Sequence, residues 1–141
     1  MPDVKPHLLL VEADIDIGNM FKIYFGPIAE VTIAARAVDG LALFSRDLFD
    51  LVILDLGLPG LDEYEFMRSI RASGRQVPVL FLTPKDKPSD KLQEFEIDAD
   101  DYVSKPFDIE EVKLRIERML NRLAGDTTTD APPPEKKKKG K

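Results

Sequence analysis

The chain has 141 residues, 43% hydrophobic and 33% charged, which is about one domain with enough apolar side chains to bury a core. With no cysteine and a single histidine, His7, it can build no disulfide, no zinc–thiolate site, no thiol nucleophile and no His-rich metal cluster. Its net charge is −6, and residues 126–141 carry three acids against five lysines, so the remainder stands at −8, a poor balance for binding nucleic acid by the domain itself.

No apolar run approaches the length of a membrane span. The opening "MPDVKPHLLLVEAD" lacks the basic start and long apolar core of a secretory signal. A cytoplasmic protein is expected. In chain order, the apolar run at 7–12 predicts a strand buried on both faces. Residues 15–25 follow, with Ile17, Met20, Phe21, Tyr24 and Phe25 at helical spacing and Asp14 as N-cap. A second strand is expected at 30–35. A helix at 39–48 carries Leu41, Leu43, Phe44 and Leu48. The third strand, 51–55, precedes a helix at 63–73 with Asp62 as cap and with Phe66, Met67 and Ile70 facing inward. A strand at 77–83, a helix at 90–97 behind Ser89, a strand at 101–104 and a helix at 108–123 capped by Asp108 complete the series. Gly74 and Gly125 stand where helix ends favour glycine.

Alternating strands and helices imply right-handed crossovers and a parallel sheet covered on both faces. The fold class is therefore α/β: a three-layer, doubly wound, parallel five-stranded sheet of five strand–helix units. The domain should run over 1–124. From 125 to 141 the composition turns polar, with three prolines and then four consecutive lysines, and a disordered tail or linker is expected. Those lysines suit an acidic partner, nucleic acid or lipid headgroups, or serve only as a solubilising end.

Chemistry in such a sheet collects beyond the C-terminal strand ends. The first strand places Glu12, Ala13 and Asp14 there; the third places Asp55, the fourth Thr83, and the fifth Lys105 ahead of Pro106. Carboxylates suit a hard divalent cation such as Mg²⁺. A hydroxyl and an ammonium beside them suit a phosphoryl group. An aspartate can itself be the nucleophile. Singly, each residue is as well explained as a cap, a strand former or a solvated charge; four together at one edge are not.

The segments "DLGLPGLDEYEF", "FLT" and "DDYVSKPF", in this order and spacing, resemble the receiver domain of response regulators, the CheY-like, flavodoxin-like fold, over residues 7–123. The resemblance implies a signalling domain rather than an enzyme, one that accepts a phosphoryl group on Asp55 from a histidine kinase or phosphotransfer protein in a two-component phosphorelay. It implies Glu12, Asp55 and the backbone carbonyl of Gly57 as Mg²⁺ ligands, with Asp14 a further candidate through a shifted register. Thr83 and Tyr102 would be the switch residues, Lys105 would neutralise the phosphoryl group, and the Lys105–Pro106 bond would be cis. It also implies an output face built from the fourth helix, fifth strand and fifth helix. On it Lys91, Asp101, Glu111 and Arg115 resemble the charged dimer interface of the winged-helix transcription-factor subgroup, and a weak homodimer is expected.

Four positions depart from the family pattern. Ala13 stands where the second acid of the metal-binding pair belongs and supplies no oxygen. Pro84 stands where a small residue would offer a backbone N–H to the phosphoryl group, and proline has none. Glu63 and Asp98 replace glycines. Mg²⁺ is therefore expected to bind weakly, and a phosphorylation-independent pseudo-receiver, a protein-binding module keeping the fold, is the competing reading. A haloacid-dehalogenase-like phosphatase would need a second aspartate at Gly57. An FMN-binding flavodoxin would need a Ser-, Thr- and Gly-rich loop in place of "EADIDIG".

Overall fold

The computed structural model describes residues 5–58, 60, 62–83 and 100–123. The elements run β1 (His7–Val11), α1 (Ile15–Phe25), β2 (Glu30–Ala34), α2 (Ala37–Arg46), β3 (Leu51–Asp55), α3 (Glu63–Ala72), β4 (Val79–Thr83), β5 (Asp101–Ser104) and α4 (Ile109–Leu123). The helix expected at 90–97, together with Pro84, Ser89, Lys91, Asp98, Gly125 and the expected tail, lies outside the described residues.

The five strands form one parallel sheet in the order β2-β1-β3-β4-β5. Strand residues alternate between its faces. Leu9, Val11, Val52, Leu54, Val79 and Phe81 pack with Phe44 of α2 and with Phe66, Met67 and Ile70 of α3. Leu8, Leu10, Leu51, Ile53, Leu80 and Leu82 face Phe21 and Phe25 of α1 and Val112, Ile116 and Met119 of α4. This is the three-layer architecture expected. It explains why β1, β3 and β4 read as unbroken apolar runs: the central strands are covered on both sides.

The caps form as the sequence indicates. Asp14 accepts from Asp16 N at 2.8 Å and Ile17 N at 3.4 Å, Asp62 from Glu65 N at 3.1 Å, and Asp108 from Glu110 N at 3.0 Å. Gly74 leaves α3 at φ 84°, where a side chain would be strained.

Several boundaries differ from expectation by one or two residues. The fourth strand begins at Val79, not 77, because Pro78 has no N–H to enter the ladder and Val79 N is taken by Asp100 Oδ2 at 2.9 Å. The second helix stops at Arg46, where Asp47 turns to extended φ and ψ. Leu48, expected on the buried helix face, is therefore 76% exposed, and Phe49 fills the core instead.

Candidate functional site

Among the described residues, three buried polar side chains stand out from an otherwise apolar core: Glu12, Asp55 and Thr83, at 3%, 5% and 8% exposure. Each sits at or just beyond a strand's C-terminal end, where the sheet delivers side chains to one edge. The β3–β4 register pairs Asp55 with Leu82, so Thr83 stands one residue beyond it. The β4–β5 register pairs Thr83 with Ser104, and Lys105 N donates to Thr83 O at 2.8 Å. Lys105 then turns back toward β1 and β3, and the Lys105–Pro106 bond is cis, as expected.

The Lys105 ammonium stands between the two carboxylates, 3.1 Å from Glu12 Oε1 and 3.3 Å from Asp55 Oδ2. The backbone holds the opposite oxygens: Asp14 N donates to Glu12 Oε2 at 3.0 Å, and Gly57 N to Asp55 Oδ1 at 2.9 Å. Both carboxylates are thereby aimed by short N–H contacts and share one cation. Burial disfavours the charged form of Glu12 and, with the negative Asp55 nearby, outweighs the Asp14 N–H and Lys105, so its pKa rises above the usual 4.5. For Lys105, burial alone would lower the pKa, but the Glu12 hydrogen bond and the two negative charges more than offset it, and the pKa rises.

Of the expected site residues, Glu12, Asp55, Thr83 and Lys105 gather at this edge. Asp14 does not join them: β1 keeps regular register through Val11, and Glu12 N still donates to Ala34 O at 2.9 Å. That register leaves the Asp14 side chain outside, where its Oδ1 serves the first turn of α1, so the shifted-register metal ligand is replaced by a helix cap. Ala13 is exposed and brings no oxygen. Among the described residues, no three carboxylate or imidazole side chains converge as a metal cage.

The donor set still suits Mg²⁺, which commonly takes one or two carboxylates and keeps several waters. Glu12 and Asp55 supply hard oxygens, and Glu12 Oε1 is buried with no hydrogen bond among the described residues, 3.1 Å from the Lys105 ammonium. Such an oxygen can accept a cation.

The residues expected at an output face divide. Arg115 Nη1 meets Asp101 Oδ2 at 2.7 Å and Arg115 Nη2 meets Glu111 Oε2 at 2.9 Å, a triad closed within one chain. The i,i+4 spacing of Glu111 and Arg115 already permitted this. Lys91 lies outside the described residues. Tyr102 is 42% exposed. Ser104, which no motif in the sequence marks, lies 3.5 Å from Thr83 Oγ1 through its hydroxyl; only the strand register reveals the pairing.

A family model described as "Response regulator receiver domain" matches residues 8–117. The chain belongs to that family. Receiver domains are signalling modules of two-component response regulators, and they bind Mg²⁺ at the acid site. This receiver is 44% identical over 91 residues to the transcriptional regulatory protein PcoR of Escherichia coli, covering 64% of this chain and 40% of PcoR. It is 36% identical over 115 residues to the transcriptional regulatory protein CiaR of Streptococcus pneumoniae, covering 82% of this chain and 51% of CiaR. The receiver thus spans about half the length, or less, of these curated relatives. Among solved structures it is similar to the receiver domain of the sensor histidine kinase PA1611 of Pseudomonas aeruginosa, which has a magnesium ion coordinated in its active site cleft. That match has 27% identity and a TM-score of 0.73, covering 84% of this chain and 99% of that one. Among the described residues of the receiver, no helix is long and apolar enough to cross a membrane.

Proposed function

We propose that this receiver accepts a phosphoryl group on Asp55 from a histidine kinase or phosphotransfer protein. The observation carrying this reading is the half-buried Lys105 bridging the buried carboxylates of Glu12 and Asp55 at one sheet edge. A buried carboxylate with one oxygen held by Gly57 N at 2.9 Å presents its other oxygen in a fixed direction, as an attacking group needs. That second oxygen faces Lys105, which is positioned to stay with the phosphoryl group and offset its charge. Thr83 would donate its hydroxyl to a phosphoryl oxygen, and Tyr102 would turn inward behind it. Glu12, Asp55 and the Gly57 carbonyl would hold Mg²⁺, which when bound supplies the positive charge that screens donor phosphate from the carboxylates. Residues 1–124 would form the receiver and 125–141 a linker or tail.

Ala13 supports a second reading, a pseudo-receiver that acts by binding alone. It leaves two carboxylates already sharing one internal ammonium, so a metal gains less on entering. Signalling in either case would pass through β5, α4 and the helix expected at 90–97.

Intact mass after incubation with a small-molecule phosphodonor, with and without Mg²⁺, separates the two. The expected result is a Mg²⁺-dependent phosphoryl adduct that is absent from Asp55→Asn. Ala13→Asp, restoring the missing oxygen, should tighten Mg²⁺ by about tenfold, near 1.4 kcal/mol. A folded protein that forms no adduct belongs to the second reading. An Mg²⁺ titration unmoved by Ala13→Asp would remove the account of the weakened site.

A further inference from the structure

Thr83 is buried, yet its hydroxyl has no short partner among the described residues. Its single proton is shared between Val103 O and Ser104 Oγ, each 3.5 Å away, at the outer limit for a hydrogen bond. Both acceptors belong to β5, on the side away from Asp55, because the sheet order sets β4 between β3 and β5. The Val103 carbonyl is backbone and fixed by the ladder, leaving the Ser104 hydroxyl as the one adjustable acceptor. Ser104 is itself exposed, so water competes for it and the contact stays weak.

We infer that Ser104 is a positioning residue for Thr83: its hydroxyl retains the Thr83 hydroxyl toward β5 and sets how readily that hydroxyl turns to the acid edge. A threonine has one proton to donate. While that proton points at Ser104 it cannot serve an oxygen near Asp55, so the two positions compete. A retaining contact this long lets the proton leave at small cost, which suits a switch more than a structural bond. The acid edge as a phosphoryl site rests on the function proposed above; the retention of Thr83 by Ser104 does not.

The first test therefore needs no phosphorylation. Three-bond couplings to the Thr83 methyl group, measured by NMR in the unmodified protein, report its χ1 populations. Ser104→Ala should raise the minor rotamer by about threefold, the size of a weak neutral hydrogen bond. Ser104→Thr, which keeps a hydroxyl at the same place, should restore the original couplings. Couplings unchanged in Ser104→Ala, or changed equally in Ser104→Thr, would overturn the inference. The second test is the lifetime of the Asp55 adduct, expected to lengthen by about threefold in Ser104→Ala and not in Ser104→Thr. If the unsubstituted protein forms no adduct, the phosphoryl reading fails, and the couplings still decide the role of Ser104.

Discussion

At the scale of single residues, the site is governed by which carboxylates are kept and how they are held. Glu12 and Asp14 stand two apart but serve different ends. Glu12 follows the last residue of β1 into the buried edge, while Asp14 falls outside and caps α1. Glu12 bears a cost when ionised, since burial is the largest influence on it and the charge of Asp55 adds to that. A carboxyl whose folded pKa is raised contributes its full stability below the unfolded value, near 4.5, and loses it as pH rises through the folded value. Glu12→Gln has no such loss. The difference in melting temperature between Glu12→Gln and the parent should therefore move in the variant's favour as pH rises from about 4 to about 7. Thermal unfolding at a series of pH values checks this. A difference that stays constant, or moves toward the parent, would show that the Lys105 contact outweighs burial.

At the scale of elements, the strands and helices pack closely enough that two buried glycines respond differently to the same change. In α2, a Cβ on Gly40 would lie 2.8 Å from Val11 Cγ2 and 3.5 Å from Val11 Cγ1. Val11 is β-branched, fully buried and fixed in the interior strand β1, so it has little room to turn away. In α1, a Cβ on Gly18 would meet Ile33 Cδ1 at 3.0 Å, the far end of a half-buried side chain on an edge strand. Gly40→Ala should destabilise by about 1–2 kcal/mol, overpacking exceeding the gain in helix propensity. Gly18→Ala should come within about 0.5 kcal/mol of neutral, where propensity and a small shift of Ile33 nearly cancel. Denaturant unfolding of both variants tests the contrast, and equal losses would refute it. The same local logic decides what could be read from sequence. Apolar runs, caps and the glycine at 74 report interactions within a few residues, and these elements emerged as expected. Leu48 was misplaced because helical spacing continues past Arg46, whereas the stop depends on a distant side chain: Arg75 donates to Phe44 O at 2.7 Å and Asp47 O at 3.0 Å. Glu12, Asp55, Thr83 and Lys105 were legible because strand ends converge on one edge. The nearness of Ser104 to Thr83 needed the β4–β5 register, which no local pattern carries.

At the scale of the whole molecule, the acidic edge and the proposed output face share β5 but differ in how their charges are satisfied. The acid edge is buried, with two carboxylates to one ammonium. The output face is partly exposed, and its Arg115 already serves both Asp101 and Glu111 within the chain. A two-fold dimer built on reciprocal pairs would exchange these contacts for equivalent ones across the interface. Exposed pairs are worth about 0.2–1 kcal/mol each, so the exchange brings little net gain. Association should therefore be weak, with dissociation constants of roughly 100 µM or above, about −5 kcal/mol. It should weaken further with salt, which screens exposed charges over about 10 Å at 0.1 M. Sedimentation equilibrium over a wide concentration range measures this. Arg115→Ala, which removes both in-chain pairs and any cross-chain ones, decides whether the triad takes part: loss of the dimer places Arg115 in the interface. A dimer of unchanged strength in Arg115→Ala would mean that the triad only fastens α4 to β5. A monomer at every concentration, with and without a phosphoryl group on Asp55, would rule out the dimer.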